Sequence, residues 1–319
     1  MLRLADRWIW DFWHVTDGDT VHLFFLQADR SLGDPDLRHW HASIGHAVSR
    51  DLRTWTMLPD ALAPAPVPAW DDYTVWTGNV VRGRHQWHLL YTGTSHAERG
   101  LVQRIGHAVS NDLTAWERVG NGLAFELDAR WYETLDTAIW HDQAWRDPVV
   151  VNVDGAWNAL VTARVPNGDT NERGTIGRAT SDDLVTWVVQ PPLSGPTPFG
   201  HLEIPDVRHL GGRWFLLFSS ARTNGSAEPH TGNDAGTYAV PSTAGPLGPW
   251  DWDRMHLVVG DGWYGAKLIS PPRRRGDPLR PVVALAWRER GENGFAGWIS
   301  DPMDVEVADG IITVKPTAP

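Results

Sequence analysis

Residues 44–55 read IGHAVSRDLRTW, residues 105–116 read IGHAVSNDLTAW and residues 176–187 read IGRATSDDLVTW. A chain that returns to the same phrase at intervals of roughly 60–70 residues is built from one unit used several times. A degenerate fourth copy, GTYAVPSTAGPLGPW, occupies 236–250, and a weaker fifth, GFAGWISDPMDVEV, occupies 294–307.

Each copy has the same surroundings. An aromatic-rich strand precedes it: HLFFLQA (22–28), QWHLLYTG (86–93), AWNALVTAR (156–164), RWFLLFSSA (213–221) and PVVALAWRE (281–289). A further short strand precedes each of those: WIWDFWHV (8–15), TVWTGNVV (74–81), RDPVVVNV (146–153), IPDVRHL (204–210) and YGAKLIS (264–270). A fourth strand can follow each S-x-D-L-x-x-W turn. Turn residues such as DGD, GR, DG and GG join the first two strands of most units. No 3.6-residue apolar stripe of helical length is present. Five such units predict an all-β fold, a five-bladed β-propeller with four antiparallel strands per blade. It fills 1–319 as a single domain, with no room for a C-terminal β-sandwich.

Within the repeat, Ser and Asp side chains can bond nearby backbone amides, so Asp51, Asp112 and Asp183 read as turn residues. Trp55, Trp116 and Trp187 read as interblade packing. His46 and His107 recur with the repeat and read as structural.

Composition narrows the function. The net charge is −11 and is spread along the chain, which argues against nucleic acid or an anionic membrane as partner. The one dense basic run, Arg273 to Arg275, reads as a solvated loop. There is no cysteine, so no disulfide holds the fold. MLRLADRWIWDFWH lacks an apolar h-region, and no stretch reaches the ~18 apolar residues of a membrane span. A cytoplasmic location is the expectation. No cluster has metal-ligand spacing and no glycine-rich phosphate loop precedes a helix, so no metal or cofactor is expected. The 20 tryptophans can plug gaps between sheets, and their flat faces also suit sugar rings.

In a propeller the first strand of each blade lines the central axis, so residues distant in sequence converge on one funnel. Asp11 (WIWDFWHV), Asp147 (WRDPVV) and Glu203 (HLEIPDV) lie on or at the head of the first strands of three blades. Clustered carboxyls resist joint ionisation, which keeps a proton on the cluster. That suits glycoside hydrolysis, where one carboxyl donates a proton and another acts as an anion.

These residues also carry a resemblance. The chain resembles the glycoside hydrolase families 32, 68 and 43, five-bladed propellers acting mostly on furanosides, and family 32 most specifically. HAVSRDLRTW resembles its H-[AS]-x-S-x-D-L-x-x-W element. WRDP (145–148) matches its R-D-P motif. LEIPD (202–206) is similar to its E-C-P-D motif, with Ile204 in place of Cys. WTGN (76–79) and WYGAK (263–267) stand where that family has F-S-G-S and F-Y-A-x-Q.

The resemblance implies Asp11 as nucleophile, Glu203 as general acid and then base, and Asp147 as the holder of two ring hydroxyls. Arg146 would neutralise part of the cluster and orient a carboxylate. The implied reaction is retaining hydrolysis of terminal β-fructofuranosides or a related furanoside, with an oligosaccharide or small glycoside as partner. An inverting family-43-like arabinofuranosidase or xylosidase, and a non-catalytic carbohydrate-binding propeller, are the alternatives. The family's W-M-N-D-P-N-G is here W-I-W-D-F-W-H, with Trp10 in place of Asn. Trp13, His14, Trp76, Asn79 and Tyr264 are candidate sugar contacts. Asp72, beside Asp71, is a candidate for the pocket rim. Asp206 is the competing acid of its motif. Loops 29–41, 94–103, 124–144 and 222–235 are expected to crown the funnel. Neither the oligomeric state nor the exact sugar is readable.

Overall fold

A computed structural model describes residues 1–220, 235–242, 244–273, 280–292 and 294–315. Loop 222–234 and the arginines Arg274 and Arg275 lie outside the described residues.

The first blade is β1 (Arg7–Asp17), β2 (Thr20–Asp29), β3 (Ser43–Ser49) and β4 (Thr56–Leu62). The second is β5 (Thr74–Arg82), β6 (Trp87–Thr94), β7 (Arg104–Ser110) and β8 (Glu117–Phe125). The third is β9 (Trp145–Val153), β10 (Ala156–Arg164), β11 (Gly174–Ser181) and β12 (Val188–Gln190). The fourth is β13 (Glu203–Leu210), β14 (Arg213–Ser220), β15 (Gly236–Pro241) and β16 (His256–Val259). In the fifth, β17 (Trp263–Ile269) and β18 (Val283–Gly291) are followed by β19 (Gly294–Ile299), β20 (Met303–Ala308) and β21 (Ile311–Lys315). Each sheet is antiparallel and ordered along the chain. In blade five the third position is split, so that β19 and β20 each pair with a different part of β18. That break falls on the weakest copy of the repeat.

The innermost strands β1, β5, β9, β13 and β17 neighbour one another in a closed ring. Leu2 closes it from the other side by exchanging both backbone hydrogen bonds with Ile299, each at 2.9 Å.

Sandwiching explains why the second and third strands read as continuous apolar runs rather than alternating ones. Each blade is covered by a neighbour on both faces, so β6 is buried along its whole length. The outer strand β4 is mostly exposed. The glycine of the repeat has a packing reason. A Cβ at Gly45 would lie 2.4 Å from the Phe25 ring, and one at Gly106 would lie 2.3 Å from the Tyr91 ring. Aromatic rings of the second strand lie flat on that backbone.

The Ser-x-Asp-Leu turns hold as expected. Asp51 accepts from the amides of Arg53 and Thr54, and Ser49 Oγ accepts from Leu52 N at 2.8 Å. Leu52, Leu113 and Leu184 sit at φ of 62, 67 and 66°, with side chains in the core. Trp116 meets Phe24 of blade one and Trp187 meets Phe125 of blade two, both across a blade boundary. His46 and His107 bond His22 and His88 through their ring nitrogens at 3.0 and 2.9 Å.

Candidate active site

All five innermost strands are interrupted at the same level by a β-bulge. The irregularities fall between Trp10 and Phe12, Trp76 and Gly78, opposite Leu160 and Thr162, between Glu203 and Asp206, and between Tyr264 and Lys267. At three of them the chain passes through the left-handed region: Asp147 at φ 56°, Ile204 at 52° and Gly265 at 60°. A bulge adds one residue, bends the strand and re-aims its side chains. Asp11, Thr77, Asp147, Glu203 and Tyr264, one from each blade, lie at or beside these bulges and line one cavity of about 350 Å³. A charged pair heads the valine strand β9 because the strand is broken there to point a carboxylate down the axis.

The acids are held differently. Asp147 Oδ2 accepts from Thr162 Oγ1 at 2.9 Å and from Ile204 N at 3.1 Å, so the bulge of the next blade fixes it. Arg146 Nη2 donates to Glu203 Oε1 at 2.7 Å, and the Tyr264 hydroxyl donates to Glu203 Oε2. Asp11 Oδ2 accepts from Thr77 Oγ1 at 3.2 Å, while its Oδ1 is buried without a partner. Burial, reinforced by Asp147 and Glu203, pushes Asp11 up to about 8. Burial also raises Asp147, against the pull of Arg146. The cluster therefore keeps a proton near neutral pH, as like charges in a low-dielectric site require.

Arg146 is the hub. Besides Glu203, it bonds Gln103 Oε1 at 3.1 Å, Asp142 Oδ2 at 3.2 Å and His201 Nδ1 at 2.9 Å, and its Nε lies 3.6 Å from Asp147. A planar guanidinium can serve several acceptors in one plane, where an ammonium would act as a point charge.

Residues 14–276 match the N-terminal domain of glycosyl hydrolases family 32, well over half of the chain. The chain belongs to that family. It is 26% identical over 298 residues to a sucrose-6-phosphate hydrolase of Zymomonas mobilis, covering 87% of this chain and 53% of the relative. An extracellular sucrase of the same species is 27% identical over 305 residues, covering 80% and 71%. The chain thus spans about half the length of the first of these relatives. Among solved structures, an inulosucrase of Halalkalicoccus jeotgali bound to kestose superposes with a TM-score of 0.76 at 18% identity, covering 98% of this chain and 90% of that one. A family 32 β-fructofuranosidase of Bombyx mori gives 0.73 at 18% identity, covering 99% and 64%. These two likenesses speak for the fold.

As a family 32 propeller the chain departs from the expectations at several positions. Asp11, Asp147, Glu203, Arg146, Trp76 and Tyr264 converge on the cavity. Trp13, His14 and Asn79 do not line it. Trp13 is 2% exposed and stacks on Phe24 in the core. Asn79 Oδ1 accepts from Val150 N, stitching β5 to β9. His14 lines a separate cavity of about 20 Å³ on the other side of Asp147, beside Asp206, Arg208 and Lys267. Burial there holds His14 down to about 3. For Trp13 and Asn79 the cause is the bulge: past Asp11 and Thr77 the alternation resumes one residue out of step, so the side chain two residues on leaves the mouth. Asp72 is not at the rim either, because its carboxylate accepts from the amides of Ala69 and His96 and is spent on the loop. Asp71 bonds the Tyr91 hydroxyl and Arg118. Asp206 pairs with Arg208 and lines the small cavity rather than the larger one.

Other cavity residues carried no sequence signal. Arg38, His39 and Trp40 come from loop 29–41, Gln103 from 94–103, and His141 and Asp142 from 124–144. Those loops were expected to crown the funnel, but single side chains in irregular segments have no periodicity to betray them. His201 and Glu289 could have been flagged by position alone, the first two residues before Glu203 and the second at the funnel end of β18.

Proposed function

We propose that this chain is a retaining glycosidase acting on a terminal β-fructofuranoside or a close furanoside. The observation that carries the reading is the convergence of Asp11, Asp147 and Glu203, from three blades, on one cavity. Asp11 attacks the anomeric carbon, forming an ester as the bond to the leaving oxygen breaks. Glu203 gives its proton to that oxygen. Water then loses a proton to Glu203 and attacks the same carbon, releasing the sugar and restoring Asp11. The cycle requires Asp11 as the anion and the transferable proton on Glu203. Asp147, fixed by Thr162 and Ile204, holds ring hydroxyls and faces the positive charge that develops on the ring.

The substrate expected is uncharged. Asp11, Asp142, Asp147, Glu203 and Glu289 line the cavity against only two guanidiniums, those of Arg38 and Arg146, among the described residues. A phosphorylated sugar would enter against that field.

The test is turnover on sucrose, sucrose 6-phosphate, inulin- and levan-type oligosaccharides and aryl arabinofuranosides. Release of fructose from an uncharged substrate, with net retention by NMR, is the expected result. Silence on all of them from a folded protein would overturn the reading, and inversion would overturn the role given to Asp11.

A further inference from the structure

Two charged residues in the cavity remain unused by this chemistry. Arg38 sits on the 3₁₀ turn Pro35–Trp40, with its guanidinium 3.8 Å over the Phe295 ring and Nη1 donating to Pro35 O at 2.8 Å. Its Nε is buried without a partner. Its one ion pair among the described residues, 3.5 Å to Asp36, reaches a carboxylate that is 91% exposed and so holds it weakly. Glu289 ends its turn toward the cavity from β18, with Oε2 buried and unpartnered. Both line the cavity, yet no ion pair joins them, and Glu289 feels Arg290, its chain neighbour, more than Arg38. Trp10, beside Asp11, is 1% exposed and packs edge-on against His39, so it offers a ring hydroxyl little.

A buried cation and a half-buried carboxylate with one oxygen out of reach of water, stopping short of pairing, are costly unless something satisfies both. A group that accepts from one and donates to the other is a hydroxyl. We propose that Arg38 and Glu289 form a clamp on one hydroxyl, or two adjacent hydroxyls, of the ring held over Asp11, and thereby set which sugar the site accepts. This rests on the glycosidase reading and deepens it. The discrimination is strong in principle, because a substrate lacking that hydroxyl leaves both charges unbridged.

The experiment uses Asp11→Ala as a non-turning-over binder. Sucrose and methyl arabinofuranoside are titrated against it by intrinsic fluorescence, since Trp10, Trp40, Trp76 and Trp287 line the cavity. Glu289→Gln, Arg38→Met and both together are added in that background, with thermal unfolding as the check on folding. Each single change should weaken binding ~10- to ~100-fold, the worth of a hydrogen bond to a charged group. The double change should cost much less than the product of the two. Sucrose deoxygenated at each fructosyl hydroxyl in turn should identify one position whose loss matters in Asp11→Ala and ceases to matter once Glu289→Gln is added. A folded Glu289→Gln or Arg38→Met variant that binds unchanged, or a pair whose costs simply multiply, overturns the clamp while leaving the sugar site standing. If Asp11→Ala binds neither sugar, the glycosidase reading and the clamp fall together.

Discussion

Asp11 carries the tension of the site. It has a buried oxygen without a partner and two acids beside it, against a threonine hydroxyl and the charge of Arg38. Its carboxyl stands at about 8 in the folded protein, against ~3.9 in an unfolded chain. The folded state therefore binds this proton more tightly. The stability tied to Asp11 is fully present below about pH 4 and is lost as the pH climbs through about 8. Asp11→Asn stays neutral throughout, so it should raise Tm at pH 8.5 by ~2 °C or more and change it little at pH 4.5. Equal shifts at both values would mean the carboxyl ionises freely. Destabilisation concentrated at the residue proposed to react is the usual cost of a functional site.

The bulge is the element that turns five strands into a candidate active site. It was not legible in the sequence. WIWDFWHV and WRDPVVVNV announce strands, and strand alternation from Asp11 sends Trp13 to the same face. The extra residue between Trp10 and Phe12 breaks that alternation. This is why Trp13, and Asn79 past the matching bulge of β5, leave the face on which Asp11 and Thr77 reach the cavity. The turn repeat, by contrast, was legible because every Ser, Asp and Leu in it has a local partner.

Two substitutions separate these elements. A Cβ at Gly265, at φ 60°, would lie 2.7 Å from Trp287 Nε1. Gly265→Ala should therefore cost ~1–3 kcal/mol and shift the bulge beside Tyr264, lowering turnover at least ~10-fold. Asp112→Ala loses two amide acceptor contacts, at 2.8 and 2.9 Å, on an exposed turn. It should cost ~1 kcal/mol and leave turnover within about twofold. Thermal unfolding and steady-state rates on the same preparations check both, and a reversed ranking in activity would contradict the division.

At the scale of the whole molecule, circular closure brings residues separated by most of the chain into one cavity. Asp11 and Glu289 meet there although one lies near the start and the other on the last blade. The five-fold repeat made this ring readable from sequence, because each copy of the IGHAVS phrase implies one blade and five blades close. The same ring explains why the crowning loops were only partly readable. Their position follows from topology, while the identity of the side chain that reaches inward does not. The most direct measurement is a crystal structure of Glu203→Gln soaked with the glycoside that the turnover assay identifies. The account predicts one sugar ring in the funnel, with its anomeric carbon facing Asp11, its hydroxyls on Asp147 and its leaving oxygen beside residue 203. A ring bound on any other face, with the funnel empty, would contradict it.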